Sequence, residues 1–327
     1  MIKLQLFLFN IKAMKYTNYD KAELHCHLNG SIPVNTILKI IDNNYDFKEH
    51  DYIIDKPVKN LSEYFNPWKI TRLLPHNKNI FMTILDGIGK EMLADNIKYI
   101  ELRNSIIYLA KLNNITYEEI LDWYIEGFET IRTKYKLDMR LIISVRREVN
   151  EINEYYKILD IIKRKNSNIF VGFDLTGNET ELHFSEWPNF FQNVKENGYG
   201  ITIHAGESWS DENVKYAITQ CKANRIGHGL AIGNNPELLD LCKKNDICIE
   251  VCLTSNILTS SVSDISTHPV LQFHKFNIPY VLCSDNPGIH NKSLSFEYEL
   301  FENITKISNF AEVMYRNQLK YAFKNLR

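Results

Sequence analysis

An α/β fold, a closed (β/α)8 TIM barrel, is predicted for this 327-residue chain by three observations. Eight short apolar runs rich in β-branched residues recur along it. Longer stretches with helical spacing separate them, and strands alternating with amphipathic helices build a parallel sheet from βαβ units. No GxGxxG turn points instead to an open, doubly wound sheet. Third, the polar residues collect at the C-terminal ends of the runs, where barrels build their active sites.

The elements follow in chain order. Residues 1–14, MIKLQLFLFNIKAM, contain an apolar run broken by Gln5, Asn10 and Lys12. It is too short to span a bilayer, and no small-residue cleavage site follows it. We expect residues 1–20 to be an N-terminal extension and 21–327 a single domain. AELHCHL (22–28) is the first expected strand, with His25 and His27 near its end and the turn-former Asn29-Gly30 after it. Residues 51–80 exceed a usual βα connection. Leu61, Tyr64, Phe65 and Trp68 recur there at helical spacing, which suits a helix on the barrel or a lid over its mouth. Helices are expected over 80–96, 117–135, 152–165 and 236–245. The other strands are expected at 98–104, 139–145, 169–177, 200–206, 225–229, 247–253 and 279–285. The fourth ends on Asp174 and Gly177, the fifth on His204 and Glu207 and the sixth on His228. The seventh ends on Ser255 and Asn256, and the eighth on Asp285.

Composition bounds the function. A charge of −2 argues against a nucleic-acid polymer or an anionic membrane as the main partner and leaves a small molecule. The six cysteines form no CxxC pair and sit in apolar runs, so we expect buried, reduced thiols and a cytoplasmic protein.

His25 and His27 lie two apart on a strand and so share a face. An HxH pair alone is weak evidence for a metal. His204 from HAGE and Asp285 from SDNP make three imidazoles and a carboxylate, a set that suits Zn2+ with an open position for water. Glu207, three residues past His204, is a candidate general acid or base if a dry pocket raises its pKa. His228, between Gly227 and Gly229, is a candidate to orient the attacking oxygen or carry its proton. We expect His50, His76, His183 and His274 at the surface and His268 tethering a loop, with His290, just past the eighth strand end, only a secondary candidate to approach the mouth.

ELHCHLNGS, YIELR, FDLTGNE, TIHAGE, RIGHG, CLTSN and SDNPG, in this order, resemble the adenosine deaminase family of zinc-dependent (β/α)8 purine aminohydrolases. The resemblance runs from residue 22 to about 300. It implies one Zn2+ per chain on His25, His27, His204 and Asp285, with Glu207 protonating purine N1 and His228 beside the attacking oxygen. It also implies backbone contact from Gly177 at purine N3, and substrate contacts from Asn29, Asn286 and the Leu61, Tyr64, Phe65, Trp68 segment. The substrate so implied is adenosine or 2'-deoxyadenosine. Two residues depart from the common pattern. Asn286 stands where many members carry Asp, and its NH2 group supplies a donor for purine N7 without a bound proton. Asn29 replaces the Asp that accepts a bond from the ribose 5'-hydroxyl. It would not repel a 5'-phosphate, and HLNGSI also resembles the branch that deaminates N6-methyl-AMP. Arg72, Arg146 and Arg147 are candidates to face such a phosphate.

Overall fold

All eight expected runs contain strands. They are β1 (Lys21–His27), β2 (Ile97–Asn104), β3 (Asp138–Arg146), β4 (Phe170–Thr176), β5 (Gly200–Ala205), β6 (Arg225–His228), β7 (Cys248–Val251) and β8 (Tyr280–Leu282). This computed structural model describes residues 15–41, 46–59, 61–74, 76–147, 152–180 and 185–326. The strands pair in parallel in chain order. β8 stops at Leu282, before the expected Asp285, which itself has φ +61°, outside the extended region. An isolated parallel bridge between Cys26 and Asp285 nevertheless closes the barrel. There His27 N donates to the Asp285 carbonyl at 2.9 Å and Asp285 N to the His25 carbonyl at 2.9 Å. Closure therefore sets His25, His27 and Asp285 side by side.

A ring of helices covers the sheet: α1 (Lys78–Ala94), α2 (Tyr117–Tyr135), α3 (Ile152–Lys165), α4 (Trp187–Glu196), α5 (Asp211–Thr219), α6 (Pro236–Lys244), α7 (Val270–Phe276) and α8 (Ala311–Tyr321). Local chemistry sets their starts. Thr116 and Glu119 form a reciprocal capping box on α2, and the Asn235 side chain caps α6 with Pro236 at its first position. Alternate strand residues such as Leu24, Cys26, Ile100 and Leu102 join the apolar core. Residues 15–20 lie against this body, with the buried Tyr16 ring 5.6 Å from Tyr298 and 5.3 Å from Phe310. All six cysteines are free and buried.

The other strand face carries charge into the barrel interior. Arg225 reaches Glu101 at 2.6 Å and Glu250 at 2.7 Å. Arg103 reaches the second oxygen of Glu250 at 2.6 Å and Asp174 at 2.9 Å. All five side chains are fully buried, and their charges alternate along the ladder. The Phe323 ring closes one end, 3.6 Å from the Arg225 guanidinium carbon. Gly172 and Gly200 leave room for it, since a Cβ on Gly200 would lie 2.2 Å from the ring.

Residues 51–80 depart from the single helix that the spacing suggested. Pro67, which disfavours continuation of a helix through it, separates two one-turn helices at Leu61–Tyr64 and Trp68–Thr71. Tyr52, Ile54, Tyr64, Ile70 and Leu74 form a small apolar cluster with Ile37, Leu258 and Ile289. The segment thus packs on the barrel and also borders its mouth. Among the described residues no helix is long and apolar enough to cross a membrane.

Candidate active site

Four expected ligand residues meet at the C-terminal mouth of the barrel. His27 Nε2 lies 3.3 Å from His204 Nε2 and 3.5 Å from Asp285 Oδ1, and His25 Nε2 lies 3.6 Å from the same oxygen. A tetrahedral ion with bonds of roughly 2.0–2.2 Å separates its ligand atoms by roughly 3.3–3.6 Å. These three spacings match that range, and His25, His27 and Asp285 offer donor atoms that all lie within 4.8 Å of one another. His25 Nε2 is buried without a hydrogen-bond partner, which an ion at this point would satisfy. Burial, with the His204 and Arg103 charges, holds the His25 and His27 pKa values well below the usual range, so both rings are neutral donors.

The interior ladder aims these rings. Glu250 Oε2 lies 2.7 Å from His25 Nδ1, and Asp174 Oδ1 lies 3.0 Å from His204 Nδ1. A carboxylate requires the hydrogen on Nδ1, which leaves the Nε2 lone pair of neutral His25 facing the common point; His204, whose pKa Asp174 raises against the effect of burial, offers its Nε2 once the second proton is lost. Glu23 braces the closure by accepting from His25 N at 2.9 Å and from Ser284 N and Oγ at 2.9 and 2.6 Å. Ser255 donates to Asp285 Oδ2 at 2.6 Å and fixes that carboxylate from behind.

Glu207 stands on the loop after β5, with 24% of its side chain exposed, and borders the cavity. Burial and then the nearby Glu179 carboxylate push its pKa up to about 7, against opposing pulls from His204 and Arg147. Glu179 also shapes the loop. It accepts from Gly206 N at 3.1 Å, Glu207 N at 2.9 Å and Ser208 Oγ at 2.8 Å. His228 Nε2 lies 3.7 Å from Glu207 Oε2. His228 adopts φ +64°, uncommon for a residue with a Cβ, and burial lowers its pKa to about 4.

His27, His204, Glu207, His228 and Asp285 border one cavity of about 490 Å³. Asn29, Gly177, Asn286, Tyr64, Phe65 and Trp68 also line it. The three aromatic rings form a mutual cluster with centroids 5.4–5.8 Å apart. Leu61 belongs to the adjacent one-turn helix, but its side chain lies outside the described residues. Asn286 Nδ2 donates to the Tyr64 hydroxyl at 3.0 Å, which uses one of its two amide hydrogens.

The structure divides the remaining candidates. His290 is buried and does not border the cavity; its Nε2 meets the Tyr64 hydroxyl at 2.8 Å and anchors that ring. Arg72 and Arg146 line the cavity, whereas Arg147 is buried and bonds the carbonyls of His204 at 2.6 Å and Gly177 at 3.4 Å. His50, His76 and His274 are exposed, and His183 lies outside the described residues. Sequence reasoning missed Glu179, Glu250, Arg103 and Arg225. A charged residue inside an apolar strand was the available signal for the last three.

Comparison with known proteins adds the following. The sequence model of the adenosine deaminase family matches residues 20–325. The adenosine deaminase of Clostridium botulinum (strain 657 / Type Ba4) is 34% identical over 324 residues, covering 95% of this chain and 96% of that protein. The crystal structure of the Arabidopsis N6-mAMP deaminase MAPDA superposes with a TM-score of 0.83 at 26% identity, covering 94% of each chain. Arabidopsis ADAL complexed with IMP superposes with a TM-score of 0.83 at 25% identity, covering 95% of this chain and 94% of that one.

Proposed function

Because the chain belongs to the adenosine deaminase family and is thus an enzyme that deaminates adenosine-type purines, we propose that it converts adenosine or 2'-deoxyadenosine to inosine or 2'-deoxyinosine and ammonia. The observation that carries this reading is a Glu with a pKa of about 7 beside a His/Asp donor set spaced for one ion. Residues 21–327 act as one catalytic domain holding one Zn2+ on His25, His27, His204 and Asp285. Zinc supplies a Lewis acid that acidifies a bound water to near neutrality.

The chain's own residues do the rest. Glu207, protonated near neutral pH, gives its proton to purine N1 and makes C6 electrophilic. Asp285 and His228 orient the water that adds to C6, and ammonia leaves from the tetrahedral carbon. The Gly177 backbone meets purine N3, and the second amide hydrogen of Asn286 meets N7. Tyr64, Phe65 and Trp68 cover the base and exclude bulk water.

A specific observation favours a second substrate class, N6-methyl-AMP or another 5'-phosphorylated adenosine. Asn29 brings no negative charge to a mouth that Arg72 and Arg146 also line. Ammonia or methylamine release from adenosine, 2'-deoxyadenosine, AMP and N6-methyl-AMP by zinc-loaded protein separates the readings. Turnover of none of them, with zinc bound, would end both. Asn29→Asp then tests the phosphate argument. A like charge near the phosphate should lower kcat/KM for a nucleotide about tenfold more than for adenosine, and equal losses would refute it.

His27→Ala tests the metal assignment. We expect loss of zinc by elemental analysis and a lower melting temperature, because bound metal contributes to folding. The difference from the parent should shrink once a chelator has stripped both proteins. Full metal content with an unchanged melt would remove His27 from the ligand set.

A further inference from the structure

Behind His228 runs a buried chain of polar groups that the proposed reaction does not use. His228 Nδ1 lies 3.1 Å from Asn256 Nδ2. Asn256 Oδ1 lies 3.2 Å from His268 Nε2. His268 Nδ1 lies 3.1 Å from the Val270 backbone nitrogen at the start of α7. Exposure is 2%, 0% and 1% for His228, Asn256 and His268, so water does not compete for these contacts.

The direction of every bond follows from one end. A backbone N–H can only donate, so His268 Nδ1 must be a bare acceptor. A neutral imidazole then carries its hydrogen on Nε2 and donates it to the Asn256 carbonyl oxygen. That orients the amide, whose NH2 donates to His228 Nδ1. His228 is left with its hydrogen on Nε2, the nitrogen that faces Glu207 and the cavity. An Nδ1 that accepts a hydrogen bond carries no hydrogen, so each of the two rings holds a single one, on Nε2.

We infer that Asn256 and His268 are positioning residues that lock His228 as an Nε2–H hydrogen-bond donor toward the attacking oxygen. This rests on the proposed reading of His228. It also narrows that reading. A nitrogen that already bears hydrogen cannot accept the proton of the attacking water, so His228 orients that water and is not its general base.

The test is nitrogen-15 NMR of histidine-labelled, zinc-loaded protein, with the His228 signal assigned by its absence in His228→Gln. We expect His228 with a protonated Nε2 and a bare Nδ1. A wild-type spectrum with the hydrogen on Nδ1 overturns the inference, whatever the enzyme turns over. Two variants then test the relay without touching substrate. His268→Gln keeps an amide N–H within reach of Asn256 and should keep the spectrum and kcat. His268→Leu removes the donor, frees the Asn256 amide to turn, and should lower kcat by about 10²-fold at little changed KM with mixed tautomers. Wild-type kcat and spectrum in His268→Leu would refute the relay. If neither variant folds, the wild-type spectrum still decides. Failure of every purine in the substrate panel with the expected tautomer present would count against the proposed reaction instead.

Discussion

Glu207→Gln retains zinc and loses about 10²–10⁴ of kcat/KM, the range that positioned general acids contribute. The two side chains have nearly the same shape, and a Gln amide can still donate a hydrogen bond to purine N1. It cannot transfer a proton there, so C6 stays a poor electrophile. None of the four expected ligands depends on the Glu207 carboxylate, and Glu179 holds the loop through its backbone N–H groups rather than its side chain. Elemental analysis and steady-state kinetics on the same preparation check this. Zinc lost in step with activity would show that Glu207 has a structural task instead.

The pH profile carries the same claim with a definite sign. Glu207 works protonated, and its pKa is raised to about 7. Its working form is therefore nearly complete at acid pH and is lost as pH rises through that value. In the parent enzyme kcat/KM should fall with increasing pH on a limb near pH 7, and the Gln variant should lack that limb. The groups that set this position are the surrounding burial, Glu179, which raises it, and His204 and Arg147, which lower it.

Much of this was legible in the sequence. Strands announce themselves by apolar β-branched runs, and helices 117–135 and 152–165 lie where their periodicity put them. The ends were less legible. Leu253 was expected in a strand but begins a short helix. Tyr64 and Trp68 share helical spacing, but Pro67 divides them. The residues at strand ends could be named one by one, because a barrel sends all its strand ends to one mouth. What supports them could not. Glu250 draws on Arg103, 147 positions away, and His25, 225 away. Glu179 acts on backbone N–H groups 27–29 residues further on. Sequence shows that such a residue is charged, and only the closed sheet shows what it faces.

Glu250→Gln should therefore damage both stability and the metal site. Glu250 Oε1 receives Thr202 at 3.0 Å and sits 2.7 Å from Arg225 Nε, while Oε2 receives Arg103 and His25 Nδ1. Every one of these partners is a donor. A Gln side chain offers one oxygen to the four and must turn its own NH2 toward two of them. Two buried guanidinium groups would also lose a shared counter-charge, with Glu101 and Asp174 left to them among the described residues. Breaking a buried ion pair from one side costs about 3–5 kcal/mol. Denaturant unfolding of the metal-free proteins isolates that cost, since no bound ion contributes. The metal effect is separate. If the NH2 group faces His25, its Nδ1 must become an acceptor and its hydrogen moves to Nε2, the atom needed for the ion. Loss of such an orienting partner lowers metal affinity about 10–100-fold, measurable by competition with a chelating dye. Parent-like unfolding in the metal-free variant would mean the ladder is not held together by alternating charge. Parent-like zinc affinity would mean that His25 is oriented by its packing in the barrel rather than by Glu250.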